Sequence, residues 1–561
     1  MTAFEKYIPG FELFRIYRRE WFQSDLLAGL SVAAVALPVG IAYAQLAGFP
    51  PAMGIYSSIL PAIAYAFFGS SRQLVVNPDS AACMMIAATV APLAAGDALR
   101  YTDLSLVLTF ITALLCLMGG IAKFGVIANF LSRPILTGYL NGIALSIIAS
   151  QLGTMLGFRV SQGGFFHTVL EAITRLNETN PATLLLGLSL FVLILILKRV
   201  MPRVPAPLIA TVAGIAVVYA LPQKGVSVVG EVPAGFPALH IPAVTSSELI
   251  PLITGAFGIM LVSFCSMMTT ARAFAAKNGY RIKVNQDMFA LGVSDLASAV
   301  TGGFAVSGAD SRTAVADSSG GKTQVSSIVA ALAIALVLLF LTRPLAFVPS
   351  AALAAILISS AIGLFDIASL RRYYTLNRFE FRFSIIATLG VMTIGVLPGV
   401  LLAVGLALFK LLRLASRPHD AVLGPVTEQT GVYTAIHEGE DRSIAGILIY
   451  RFDSSLVFFN ADYFKDRVRL AVRHAKIKPE WLIFDAETIP LIDITGCDTL
   501  EELRRELAAE GVVMVIVRAK GLFRTMMQRS GLLDTFGHER FFYSIHSAVL
   551  AFQEANNNRQ S

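Results

Sequence analysis

Long apolar runs separated by short polar breaks fill the first three quarters of the chain. Candidate membrane spans lie near 24–46, 52–69, 79–96, 104–121, 126–153, 182–199 and 206–221. After a Pro/Gly-containing stretch at 222–249, seven more follow near 250–271, 286–302, 311–319, 324–342, 348–366, 382–397 and 399–415. A helix needs about 20 apolar residues to cross a bilayer, and fewer where it is broken or buried. The pattern predicts a polytopic α-helical membrane protein of seven plus seven spans. From Ile444 the period changes. Ile444–Phe452, Leu456–Phe459, Trp481–Phe484 and Val512–Val517 read as strands, and helices are expected at about 461–475, from 496, at 520–530 and at 545–555. Strands alternating with helices predict a small α/β domain. The expected division is an N-terminal segment 1–23, a transmembrane domain 24–419 (halves 24–221 and 250–415), a linker 420–443, a soluble domain 444–556 and a tail 557–561.

Charge sharpens this division. The whole chain is 55% hydrophobic and 14% charged, with mean hydropathy +0.69. Residues 1–419 hold 28 Lys/Arg and 17 Asp/Glu, a net +11, whereas residues 420–561 hold 16 and 20, a net −4. With the N-terminus inside, 22 of those 28 basic residues fall on the cytoplasmic side and five outside, with Arg312 left in the membrane. Lys6, Arg15, Arg203, Arg371 and Arg372 are among the inside set; Arg100, Arg159, Arg175, Lys224 and Arg343 form the outside set. By the positive-inside rule both termini are expected in the cytoplasm. The pI near 9.2 then reflects topology, and no nucleic-acid partner is expected.

Enzyme signatures are missing. The four cysteines are far apart, and no C-x-x-C, H-x-x-x-H, P-loop or G-x-S-x-G is present. No cofactor and no metal are expected. The mixed-charge N-terminus lacks the apolar stretch of a cleaved signal.

Two short segments, the third and the tenth, occupy corresponding places in the halves. Val75-Val76-Asn77-Pro78-Asp79-Ser80 precedes one and Val306-Ser307-Gly308-Ala309-Asp310-Ser311 the other, with Val, Asp and Ser coinciding at an offset of 231. Paired interrupted segments point to a transporter site at the midplane between inverted repeats. Helix N-termini there aim N–H groups and positive dipole ends at an anion.

Several motifs carry a family resemblance. They include Asp25-Leu-Leu-Ala-Gly29, Leu46-Ala-Gly-Phe-Pro-Pro51, Phe68-Gly-Ser-Ser-Arg-Gln-Leu74, Ala271-Arg-Ala-Phe-Ala-Ala-Lys-Asn-Gly279, Ser311-Arg312-Thr313 and Gly320-Gly-Lys-Thr323. With these the chain resembles the sulfate permease family of anion transporters, prokaryotic members included. The resemblance implies core and gate domains built from inverted repeats, and a substrate site between the broken third and tenth helices. Ser311 and Arg312 match the family's Ser-Arg at the start of the tenth helix, and Pro78 its Gly-Pro before the third. The chain also departs from the pattern: Val39 replaces a glutamine, Ser266 an eighth-span acid and Asp295 an asparagine, while Asp79 and Asp310 are additional acids.

A charge at the bilayer centre costs about 2.5–3.5 kcal/mol on the lenient scale, so Asp79, Asp310 and Arg312 are expected to line a wet cavity or to pair. In the functional reading Arg312 attracts the anion, Ser80, Ser311 and Tyr43 help bind it, and Asp79 and Asp310 bind a coupling proton or sodium. In the structural reading both aspartates are helix caps, and Arg312 forms a salt bridge with Asp310, Asp317 or, more favourably placed, Asp79.

In the soluble part, Tyr450-Arg-Phe452, Phe458-Phe-Asn-Ala461, Asp493-Ile-Thr-Gly496 and Ser530-Gly-Leu532 resemble the STAS domain. The antagonist proteins of that family carry a phosphorylated serine after the aspartate; here the position is Ile494, so no serine phosphoswitch is expected, and Thr495 reads as a helix cap. The domain is expected to support homodimer assembly or regulation by a protein partner. The leading functional expectation is a secondary anion transporter of the inner membrane, for sulfate, bicarbonate or a dicarboxylate. An uncoupled anion channel and a membrane-anchored signalling scaffold are the alternatives.

Overall fold

A computed structural model describes residues 10, 17–129, 133–158, 160, 164–201, 204–220, 226–235, 242–426, 429–436 and 442–560. Lys6, Arg15, Arg159, Arg203 and Lys224, used above for orientation, lie outside the described residues. The chain packs as two units, Met1–Ala407 and Leu408–Ser561.

Each of the fourteen apolar runs is helical in the structure. In the first half, span 1 is Phe22–Leu46, span 2 is split into Pro51–Tyr56 and Leu60–Phe68, span 3 is Ser80–Ala94, span 4 Ala98–Ile121, span 5 Arg133–Leu156, span 6 Pro181–Val200 and span 7 Ala206–Ala220. In the second half, span 8 is Ser246–Lys277, span 9 Val284–Val300, span 10 Asp310–Ser318, span 11 Val325–Phe340, span 12 Ser350–Leu364, span 13 Arg378–Ile394 and span 14 Val396–Ser416. Two further helices, Phe165–Thr174 and Ile367–Leu376, connect spans 5 to 6 and 12 to 13. At 10 residues each they are too short to read as spans, and only Ile367–Leu376 is polar as well.

The packing is pairwise symmetric. Span 4 lies against span 9 as span 11 lies against span 2; span 8 touches spans 3 and 4 as span 1 touches spans 10 and 11. Spans 5 and 12 face one another, with span 13 on span 5 and span 6 on span 12. Exchanging each span with the one seven places on reproduces these contacts, the signature of a duplicated seven-helix unit. Spans 1–4 and 8–11 form a core bundle; spans 5, 6, 7, 12 and 13 form a gate bundle that meets the core along spans 1 and 3 and shares an apolar cluster with span 8.

Polar side chains tie the bundle at its loops. Buried Asp25 accepts from Lys322 N at 2.6 Å, Thr323 N at 3.1 Å and the Thr323 hydroxyl at 2.6 Å. Buried Asp287 does the same for Ser70 N at 2.7 Å and the Ser70 and Tyr65 hydroxyls at 2.9 and 3.0 Å. Both carboxylates satisfy backbone that the helix breaks leave open.

The soluble unit is a six-stranded sheet in the order β4-β3-β5-β6-β7-β8. Its strands are β3 Asp420–Val426, β4 Gln429–Ala435, β5 Ile447–Phe452, β6 Trp481–Asp485, β7 Val513–Val517 and β8 Phe541–Phe542; β1 Val76–Asn77 and β2 Ser307–Gly308 belong to the membrane unit. β5 to β8 run parallel, and β3 pairs antiparallel with both β4 and β5. Helices Ala461–His474 and Ile494–Ala509 share one apolar cluster with the sheet, and Ile545–Gln560 another. Three expectations change here. Most of the stretch 420–443 is a strand pair, not a linker, anchored by Arg467 on Asp420 at 2.9 Å. Residues 456–459 make only one bridge, Leu456 to Ile492, because the chain turns there into the following helix. The last helix runs through most of the tail, to Gln560.

At the centre of the membrane unit β1 and β2 pair antiparallel, Val76 with Gly308 and Asn77 with Ser307. They pass so close to span 8 that a Cβ on Gly308 falls 2.7 Å from Met267 Cγ and 3.1 Å from Leu74 Cδ1. Gly308→Val is therefore expected to destabilise the fold by about 1–3 kcal/mol, the cost of overpacking. Thermal unfolding of the detergent-solubilised protein measures it, and an unchanged midpoint contradicts the close approach.

Candidate functional site

Spans 3 and 10 start immediately after β1 and β2, so the two-stranded ladder sets their N-termini beside each other in the core bundle. Two further bonds fix the crossing: Ala309 N donates to Val75 O at 2.9 Å, and Val75 N donates to the Thr313 hydroxyl at 3.0 Å. An N-terminus ends in N–H groups without helical partners. On span 3, Asp79 is the N-cap and its carboxylate accepts from Ala81 N at 3.1 Å. On span 10 the N-cap is Ala309, whose methyl group cannot accept a hydrogen bond, so no side chain caps the first turn, the kind of helix start that favours an anion.

Arg312 is 2% exposed in that first turn. Its Nη2 donates to the carbonyl of Pro78, its guanidinium carbon lies 5.6 Å from the Tyr43 ring centre, and its Nε has no partner. Ion pairs with Asp79, Asp310 or Asp317 do not form: no carboxylate bonds to Arg312 among the described residues. Asp317 is turned to span 8, where Lys277 and Asn278 hold it at 2.6 and 2.8 Å. The arginine has taken a backbone carbonyl instead, which leaves its charge uncompensated by a direct carboxylate contact.

Asp310 is the first residue of span 10, and its carboxylate accepts the hydroxyl of Thr270 on span 8. The cap reading thus holds in geometry for Asp79 and not for Asp310. Thr270 to Asp310 and Lys277 to Asp317 are both 40 positions apart, so spans 8 and 10 run parallel in fixed register. Asp79 lies within electrostatic reach of both Asp310 and Arg312, and Ser80 lies beside the Tyr43 hydroxyl. Five of the six sequence-selected residues, Tyr43, Asp79, Ser80, Asp310 and Arg312, therefore gather at the two helix starts. Ser311 is exposed next to Asp310, and its side chain makes no hydrogen bond among the described residues.

Thr270, the Pro78 carbonyl and Tyr139 were missed in sequence. Tyr139 comes from span 5 of the gate bundle. It is fully buried, its hydroxyl has no partner, and Asp79 is within electrostatic reach. A tyrosine in an apolar run carries no distinguishing signal, and a backbone carbonyl carries none at all. In the soluble unit Asp493, not Thr495, caps its helix by accepting from Gly496 N at 2.8 Å, while Ile494 and Thr495 are exposed.

Comparison with known proteins bears on these observations. The Sulfate permease family matches residues 22–387 and the STAS domain residues 440–548. A probable sulfate transporter of Mycobacterium tuberculosis is 40% identical over 547 residues, 97% of this chain and 98% of its own. The chloroplastic sulfate transporter 4.1 of Arabidopsis thaliana is 30% identical over 566 residues, covering 96% and 82% of the two chains. Among solved structures, SLC26A9 superposes with a TM-score of 0.90 at 24% identity, covering 100% of this chain and 94% of that one. The transmembrane domain of a cyanobacterium bicarbonate transporter, BicA, gives 0.62 at 23% identity over 69% and 99%. The inverted-repeat fold is thus shared with both. With its paired half-helices, its fourteen spans and its STAS domain, the chain belongs to the sulfate permease family, a family of membrane-embedded transporters and not of enzymes.

Proposed function

We propose that the protein is a secondary active transporter of a small oxyanion of the sulfate class. It works by alternating access in a cell inner membrane, with the N-terminus and STAS domain in the cytoplasm. One observation carries this reading: a buried arginine without a carboxylate partner sits in the open first turn of one half-helix and faces the start of another. The relatives named as sulfate transporters support the substrate class. In this reading Arg312 and the N–H groups of span 10 bind the anion, with Tyr43, Ser80 and Ser311 completing the site. Asp79 and Asp310 supply the coupling site for a proton or sodium. Two carboxylates this near an anion repel it, and a bound cation removes the repulsion, which links the two ligands thermodynamically. The STAS domain serves homodimer assembly or a regulatory partner.

Arg312→Ala should reduce uptake of radiolabelled sulfate into proteoliposomes by about ten- to hundredfold, the equivalent of one charge-assisted hydrogen bond of about 1.5–3 kcal/mol. Undiminished uptake removes Arg312 from the site. A panel of sulfate, bicarbonate and dicarboxylates under imposed proton and sodium gradients identifies the cargo. In the same assay Asp79→Asn and Asp310→Asn should flatten the dependence of uptake on the driving ion. If both variants keep that dependence, the coupling assignment fails. Uptake that never exceeds equilibrium under any gradient makes the protein a channel.

A further inference from the structure

Span 9 holds a second kind of acid. Asp295 is fully buried; its Oδ1 accepts the Val306 N–H at 2.8 Å, and its Oδ2 has no hydrogen-bond partner. Val306, whose N–H it accepts, and Leu291, one turn back on span 9, belong to one apolar cluster with Met260, Phe264 and Met267. Span 9 packs on span 4, on the second part of span 2, on span 8 and on the turn Phe124–Asn129. Span 4 offers Cys116, within electrostatic reach of Asp295. Span 2 offers Tyr65, which is engaged by Asp287, the other acid of span 9. Span 8 offers Cys265, buried in a different cluster. No Lys, Arg or His bonds to Asp295 among the described residues.

An unpaired carboxylate in such surroundings costs several kcal/mol, and such groups take up a proton instead. Accepting one N–H needs only an amide, so the ionisable group exceeds the structural task. We infer that Asp295 is a proton-binding site, with a proton taken from water forming the Oδ2–H bond while Oδ1 keeps the Val306 N–H. Val306 leads directly into β2, and β2 into Asp310 and Arg312. Loss of the proton places an anion against the crossover and disturbs the start of span 10. The site is independent of the coupling role given to Asp79 and Asp310.

Two measurements test it. In sulfate exchange with equal pH on both membrane faces, no proton gradient drives transport. Wild-type exchange should fall as the pH becomes alkaline, and Asp295→Asn exchange should fall severalfold less, the remaining loss belonging to Asp79 and Asp310. Superimposable profiles overturn the inference. Infrared spectroscopy reads the protonation state without transport. In an Asp79→Asn, Asp310→Asn background at neutral pH, a carboxylic-acid carbonyl band should be present, should vanish with Asp295→Asn and should shift with Asp295→Glu. A band that neither substitution touches, or no band, overturns the inference even if the coupling assignment stands.

Discussion

Inside a bilayer every backbone N–H and C=O must find a partner within the protein, and two interrupted helices break that requirement in the same place. The β1–β2 ladder resolves it. Each extended segment satisfies the other, Val76 against Gly308 and Asn77 against Ser307, with Ala309 N and Val75 O closing the end. Much else follows from that pairing. The ladder places the starts of spans 3 and 10 side by side, so two sets of open N–H groups meet where one helix could supply only one. It also excludes side chains at Gly308, where span 8 presses against the strand.

The acids of the core bundle divide by what they hold. Asp25 accepts three hydrogen bonds from the loop residues Lys322 and Thr323, Asp287 accepts two from the loop residue Ser70 and one from Tyr65 of span 2, and Asp295 accepts one from the chain entering β2. These three brace the breaks. Asp79 and Asp310 sit at the helix starts and each accept a single bond that leaves an oxygen available. Arg312 is surrounded by this arrangement yet bound to a carbonyl and an aromatic face. A guanidinium held in this way keeps its charge and part of its donor fork free, which a bidentate salt bridge does not.

How much of this was legible depended on the range of the interaction. Hydropathy is local, so the runs at 24–46 and 311–319 became Phe22–Leu46 and Asp310–Ser318 with shifts of one or two residues. The coincidence of Val, Asp and Ser at both breaks is also local, and it marks the two helix starts that the ladder brings together. Pairings across the chain left no such trace. Gly424-Pro425 and Gly431 interrupt the alternation of β3 and β4; β4 is held by β3, and β3 in turn by β5, over twenty residues away in sequence. The grip of Asp25 on Thr323 spans 298 positions. The Pro78 carbonyl that takes Arg312 has no side-chain identity to recognise.

Placement across two bundles gives the site its mechanical sense. Tyr43, Ser80, Asp79, Asp310 and Arg312 all belong to the core bundle, whose spans 8 and 10 are held in register by Thr270–Asp310 and Lys277–Asp317. Tyr139 belongs to the gate bundle and lies within electrostatic reach of Asp79, its hydroxyl without a hydrogen-bond partner among the described residues. Among the described residues the contact across the boundary at this point is packing and field, not a hydrogen bond, as the proposed alternating access requires. If an anion binds at the helix starts as proposed, it supplies an acceptor for Tyr139, and the cargo itself would then alter the balance between the two bundles.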